Sequence, residues 1–357
     1  MRDNASGVTH RIAGAEQGSS LSMAHNSYLT FGRREGQGDF PTHLISGIPS
    51  FLKADVVPPV TEKLIAHGAK AAVLGLPWEH TNTCRPGTAM GPRAVRCATD
   101  HYISHHGEFQ VDLFEALNLC DSGDVQIIPG NAKRTFERAE ECVMNIINAG
   151  AVPFVFGGDD SCPIPVTSAV SKTVKKGGGM AYIHFDSHMD TAADVGGETL
   201  NHACPVSRTA ELFNCKRVSL LGINGALNPP AEREFVDKHN IQMFTIWDIE
   251  EQGVDAIMKQ VIDHIWVEGV DKVVLHTDLD CMDQAFVPGI TTPECGGMTP
   301  REMIKFVRGF ARKGIDAYVI TECSPVYDPA NNAARVAVRL AMDVMGVIAN
   351  PNGKGRV

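Results

Sequence analysis

The sequence has no surplus of basic residues. Its 32 Lys and Arg stand against 42 Asp and Glu, a net charge of −10, so the electrostatic footprint of a nucleic-acid-binding protein is missing. No uninterrupted apolar run reaches the length of a membrane span. The first residues, MRDNASGVTHRIAGAEQGSS, hold no apolar segment of a secretory signal. The expectation is a cytoplasmic protein that engages neither nucleic acid nor membrane. There is no CxxC pair either: ten cysteines stand singly along 357 residues, which predicts free, mostly buried thiols and no disulfide framework. Internal repeats and low-complexity domain linkers are also missing.

What is present is an alternation of short apolar runs and helical patterns. Residues 1–60 are rich in Gly, Ser, Asn and Pro with weak periodicity, and are expected to form an N-terminal arm. From Ala71 onward, strands are predicted at 71–76, 152–156, 180–185, 217–223, 242–246, 272–278 and 316–321. Their near-continuous hydrophobicity suits strands covered on both faces. Helical patterns intervene, such as 132–150, closed by Gly150, and 299–314, opened by Thr299 and Pro300. Strand and helix in this alternation give an α/β domain with a parallel sheet and right-handed crossovers, spanning 61–357.

Polar clusters follow four of these strands: GGDDS (157–161), HFDSHMD (184–190), HTDLDCMD (276–283) and TECSPVYD (321–328). In open parallel sheets the ligand crevice lies outside the carboxyl ends of the strands, so the four clusters share one sheet edge. The adjacent Asp159 and Asp160 have a bland reading, in which Asp160 or Ser161 caps the helix that starts near Pro163. Asp186, His188 and Asp190 stand at i, i+2 and i+4, which on an extended segment points all three the same way. Asp278 and Asp280 repeat that spacing. Five carboxylates and a histidine at one edge cannot all stay ionised without cations among them. Oxygen donors with imidazole suit Mn²⁺ first, then Ni²⁺, cobalt or zinc, and so many ligands imply two divalent ions, which together generate a water nucleophile at neutral pH.

At this point the sequence resembles the ureohydrolase superfamily of arginases and agmatinases, with an agmatinase-like look. The resemblance rests on RPGTAMGPRAVR (85–96), DSGDV (121–125), GGDDS, HFDSHMD, DLDCMDQAFVPG (278–289), TTPECGG (291–297) and ECSPVYDP (322–329). It implies a three-layer α/β/α sandwich around a mostly parallel sheet, a binuclear site that usually takes Mn²⁺, and trimers or hexamers. Carried over by position, Asp186 and Asp278 would bridge the metals, Asp190 would join one together with residue 160, and His188 and Asp280 would complete the other. The implied chemistry is attack of a metal-bridging hydroxide on a guanidino carbon, releasing an amine and urea or a urea-like product. Asp190 would pass a proton to the departing amine, Glu322 would hold the guanidinium, and His202 would shuttle protons.

The sequence also departs from that pattern. The family's Gly-Gly-Asp-His-Ser carries Asp160 in place of its histidine. Ala203-Cys204 replaces a Gly-Thr, His276 stands where a small residue is usual, and Asn224 where agmatinase-type chains often carry arginine. Asp159 is expected to be structural. Two readings of Asp160 compete. In one it still ligates an ion. In the other that metal position is weak or empty, and the chain is a divergent, weakly catalytic or non-catalytic partner subunit of a hetero-oligomeric ureohydrolase, such as a two-component hydrolase of the biguanide metformin. Trp78 is read either as a surface for an alkylated amine or as a core residue.

Overall fold

The computed structural model describes residues 48–353 and Gly355. Its strands are β1 Asp55–Val56, β2 Ala71–Leu76, β3 His105–His106, β4 Val111–Asp112, β5 Cys120–Asp124, β6 Val152–Gly157, β7 Gly179–Phe185, β8 Cys215–Ile223, β9 Gln242–Thr245, β10 Val270–Asp278 and β11 Ala317–Thr321. Its helices are α1 Thr61–His67, α2 Gly91–Ala98, α3 Leu113–Leu117, α4 Ala132–Asn148, α5 Pro163–Lys172, α6 Pro205–Ala210, α7 Pro230–Lys238, α8 Ile246–Gln252, α9 Val254–Ile265, α10 Pro300–Lys313 and α11 Asn332–Ala349. Among the described residues, nine strands form one sheet in the order β1-β5-β2-β6-β11-β10-β7-β8-β9. Every pairing in it is parallel. β3 and β4 form a small antiparallel pair outside it.

Alternation along the strands builds the three layers. Val73, Ile183, Leu275 and Ile320 point into one core, which α2, α3 and α8 to α11 cover. Leu74, Tyr182, Val274 and Val319 point into the other, packed by Phe136 and Val143 of α4, Val166 and Val170 of α5, and Val236 of α7. Side chains two residues apart share a face. His184 and His276 therefore continue the rows begun by Tyr182 and Val274, and both are fully buried. The longer helices start where the sequence signals allow. Asn131 accepts from the Arg134 amide at the start of α4, and Thr299 with Glu302 closes a capping box on α10.

All seven predicted strands are present, with ends shifted by a residue or two. β1 and β5 are additional in the main sheet, and β3 and β4 outside it. Of the arm expected over 1–60, residues 1–47 lie outside the described residues. Phe51 and Leu52 sit in the hydrophobic core, β1 pairs with β5, and Asp121 Oδ2 accepts from the Phe51 amide at 2.8 Å. The packed body therefore includes residues 50–60 as well as 61 onward. All ten cysteines are free; five are buried, two half-buried, and Cys84, Cys97 and Cys295 exposed. No described helix is long and apolar enough to cross a membrane.

Candidate metal centre

The polar clusters leave β6, β11, β10 and β7, four strands that are consecutive in the sheet although not in the chain. The chain runs outward from β6 to β7, β8 and β9 and then returns to fill the gap with β10 and β11, so the neighbours β10 and β7 send their following connections in opposite directions. That is where an open α/β sheet forms its crevice.

After β6, the backbone runs against the Trp78 segment. A Cβ on Gly158 would lie 1.8 Å from the Trp78 carbonyl oxygen, so only glycine fits. The next residue secures the contact. The Asp159 amide donates to that carbonyl at 2.9 Å. Asp159 Oδ2 accepts from the His80 amide, the Thr81 amide and the Thr81 hydroxyl at 2.9, 3.0 and 3.0 Å. Its Oδ1 accepts from the Ser161 amide at 3.1 Å and from the Ser161 hydroxyl. Asp159 is thus wholly committed to holding the loop. Neither Asp160 nor Ser161 caps α5, which starts without a side-chain cap, so the bland reading of Asp160 is set aside.

Asp160 turns into the cleft instead. Its amide donates to Glu322 Oε1 at 2.7 Å, and its Oδ1 accepts from the Thr321 hydroxyl at 2.5 Å. His276 Nε2 lies 3.1 Å from the same oxygen. Asp160 Oδ2 is buried and receives no hydrogen bond among the described residues. The carboxyls of Asp278 and Asp190 lie against Asp160. Such an arrangement of acceptors requires a proton or a cation between them.

Around Asp186, donor atoms converge. One atom each from Asp186, His188 and Asp280 lies within 4.8 Å of the others, and so do atoms of Asp160, His184, Asp186 and Asp190. A third group of the same dimension joins Asp160, His184 and His276. His188 Nδ1 stands 3.2 Å from Asp186 Oδ1 and 3.3 Å from Asp280 Oδ2, while its buried Nε2 has no partner among the described residues. Asp186, fully buried, also meets His184 Nε2 at 2.8 Å. Asp278 accepts from the Asp280 amide at 2.8 Å and fixes the turn that presents both. Asp190 and Glu322 hold left-handed backbone at φ 49° and 64°. Non-glycine residues keep such strain where the surroundings over-determine it, often at functional sites.

The electrostatics follow from burial. Burial pushes the carboxyls of Asp160, Asp190, Asp278, Asp280 and Glu322 above the usual carboxylate range, and neighbouring carboxylates add to the push. Asp186 is the exception. Burial opposes its charge too, but hydrogen bonds from His184 and His188 hold it below the usual range. Burial also opposes the His188 imidazolium, yet Asp280 and Asp186 push that ring up to about 12. A site with this many buried acids, three orphaned polar atoms (Asp160 Oδ2, His188 Nε2 and His202 Nδ1) and imidazole beside oxygen fits hard or borderline divalent cations.

Asp160, His188, Asp190, His202, Asp278, Asp280 and Glu322 line a single cavity of about 150 Å³. Asp186 lies beneath them with no exposed surface. His202 reaches the wall through its amide, which donates to the Thr81 hydroxyl at 3.0 Å, and burial lowers its imidazole below the ordinary value. Val195, Leu227 and Pro229 supply apolar walls, and Glu232 a further carboxyl. Trp78 is in the core, edge-on to Phe136. Sequence reasoning missed His184, although HFDSHMD extends the i, i+2 spacing back by one step. It also missed Glu232 and Thr321, which only the tertiary fold brings to the site.

Comparison with known proteins gives consistent findings. The model of the family described as "Arginase family" matches residues 69–346. An agmatinase of Citrobacter koseri is 31% identical over 287 residues, covering 79% of this chain and 88% of its own length. A mitochondrial guanidino acid hydrolase of Homo sapiens is 28% identical over 280 residues, 78% of each chain. The solved structure of the proclavaminate amidino hydrolase of Streptomyces clavuligerus superposes with a TM-score of 0.76 at 23% identity, covering 86% of this chain and 99% of its own. The nine-stranded parallel sheet, the donors at its carboxyl edge and the match over most of the chain converge: this protein belongs to the arginase family of ureohydrolase-type enzymes.

Proposed function

We propose that this chain hydrolyses a guanidino-type C–N bond, releasing an amine and urea or a urea-like product. The centre would consist of two divalent cations held by Asp160, Asp186, His188, Asp190, Asp278 and Asp280. The observation that carries the reading is the convergence of these donors on one buried cleft from adjacent strand ends. The donor set is rich in oxygen, which favours Mn²⁺ with Ni²⁺ second. When bound, such a pair supplies an acidified water as nucleophile and positive charge opposite the developing negative charge.

The remaining steps belong to the protein. Glu322 accepts from the Asp160 amide and the Thr291 hydroxyl, which fixes its carboxyl to take the planar guanidinium through paired hydrogen bonds. Asp190, on the wall of the same cavity, would carry the proton to the departing amine. His202, on the wall and nearer solvent, exchanges protons with bulk water. The substrate is a compact cation: Glu232 and Glu322 line the cavity outside the proposed metal ligands, and no Lys or Arg does among the described residues. The names agmatinase and guanidino acid hydrolase point to guanidino compounds. The lining favours a neutral or cationic tail over an acidic one, and leaves biguanides within range. Assembly into homo- or hetero-oligomeric trimers or hexamers, a cytoplasmic location and an arm formed by the N-terminal residues complete the proposal.

A second reading keeps the chain as the divergent subunit of such an assembly. It is favoured by the residue type at position 160, an aspartate where the family pattern has a histidine. One experiment separates the two. Metal-reconstituted protein is incubated with guanidino and biguanide compounds and assayed for urea or guanylurea, alone and with any neighbouring paralogue. Turnover by the chain alone supports the enzyme, turnover only in the mixture supports the partner, and no turnover in either defeats the enzyme reading.

A further inference from the structure

We infer that His276 is the positioning residue that makes Asp160 a metal ligand, the two acting as a pair. The inference rests on the binuclear reading proposed above. A carboxylate at position 160 has two equivalent oxygens and a freely turning plane. It becomes a directed donor only when one oxygen is engaged from the protein side and the other is left for the ion. The structure has this arrangement. His276 Nε2 lies 3.1 Å from Asp160 Oδ1 and 2.8 Å from the Thr321 hydroxyl, which itself donates to Oδ1 at 2.5 Å. Oδ2 is left buried, and nothing donates to it among the described residues.

The other edge of the ring fixes His276 in turn. Its Nδ1 lies 2.8 Å from the Tyr182 hydroxyl and 2.7 Å from His184 Nδ1, and His184 Nε2 lies 2.8 Å from Asp186 Oδ2. Asp160, His276, His184 and Asp186 thus form one hydrogen-bonded chain beneath the cleft. It ties together two carboxylates presented from separate strands. With Asp160 ionised, a consistent assignment has His276 donating from Nε2 toward Oδ1 and accepting at Nδ1 from His184 Nδ1–H, while His184 Nε2–H donates to Asp186 Oδ2. Hydrogen bonds from outside the ligand sphere orient ligating groups in this way, and removing them costs about 10–100-fold in metal affinity.

The test measures Mn²⁺ bound per chain by equilibrium dialysis with elemental analysis, together with the electron paramagnetic resonance signal of an exchange-coupled Mn²⁺ pair. His276→Ala is expected to weaken one of the two ions by about 10–100-fold and to abolish the coupled signal, with the other ion unchanged. His276→Gln keeps an N–H donor near the Nε2 position and is expected to retain both ions and the signal. Thr321→Val removes the other clamp with little change of volume and is expected to weaken the same ion. Asp160→His in the His276→Ala background moves the imidazole to the ligand position and is expected to recover the second ion. Two ions at wild-type affinity in His276→Ala would overturn the role of His276; where that variant does not fold, loss of one ion from His276→Gln would do so, since its retained N–H donor is expected to keep both. A wild-type chain that binds one ion or none would overturn the binuclear reading instead.

Discussion

Replacing Asp159 by Asn tests whether the loop that presents Asp160 is held as described. The buried carboxylate accepts three hydrogen bonds at Oδ2 from His80 and Thr81, and two at Oδ1 from Ser161. An amide offers one acceptor oxygen only. The least costly orientation turns the oxygen to residues 80–81 and the amino group to Ser161, whose hydroxyl can rotate to accept. The Ser161 amide is then a buried donor without an acceptor, at about 1–3 kcal/mol, and the three remaining bonds lose their charge assistance. Together these give a loss of about 2–4 kcal/mol. With an unfolding entropy of about 2.1 cal/mol/K per residue over roughly 300 ordered residues, Tm should fall by about 3–6 °C. Differential scanning calorimetry of the metal-free protein reads this without interference from ion binding. Asp159→Ala, with no acceptor at all, should fall further. The Thr81 hydroxyl also accepts from the His202 amide, so His202 should become more accessible to chemical modification. An Asp159→Asn protein with Tm within about 1 °C of wild type would refute the reasoning, since the orphaned donor alone predicts more.

Gly158→Ala should be costly where most glycine substitutions are mild. Its Cβ would meet the Trp78 backbone at 1.8 Å, so the loop must shift, with a stability loss of about 1–3 kcal/mol and reduced metal content by elemental analysis; Gly107→Ala, with no atom within 4 Å of the new Cβ, is the neutral control. Asp186→Asn should lose both ions in dialysis, because Asp186 belongs to two of the three donor groups. The pH dependence has a definite sign. The carboxyls of Asp160, Asp190 and Asp278 are raised by burial in the metal-free protein, so that form loses stability as pH rises through those raised values. Bound cations remove this penalty and must displace the protons. The Tm difference between loaded and metal-free protein should therefore widen as pH rises, and calorimetry in two buffers should show proton release on Mn²⁺ uptake.

The central strands were legible because residues such as Ala71–Leu76 and Gly179–Phe185 are buried on both faces and need no polar alternation. β5, with the sequence CDSGD, carries no such signal. It is a strand because Asp121, paired with Arg96 at 2.7 Å, is buried beside β1 and β2. β1 is two residues long, too short for any periodicity to show. At the site, the i, i+2 spacings suggest one shared edge for Asp186, His188, Asp190, Asp278 and Asp280. The chain leaves extended backbone after Phe185, however, Asp190 is left-handed and Asp280 lies in a 3-10 turn, so the loops after β7 and β10 make the convergence. Which oxygen of Asp160 is free, and that His276 and Thr321 engage the other, depends on pairing between β10 and β11 and on the path of β6. No local pattern encodes those contacts. The same holds for Asp159, whose five donors come from its own loop and from residues 80–81, far away in the chain.

The central claim is a binuclear centre that keeps Asp160 as a working ligand. Its most direct test is the number of Mn²⁺ ions held per chain after reconstitution and exhaustive dialysis, in wild type and in Asp160→Ala. The account predicts two in the wild type and one in the variant. A wild-type chain holding one ion or none, or an Asp160→Ala chain still holding two, would contradict it.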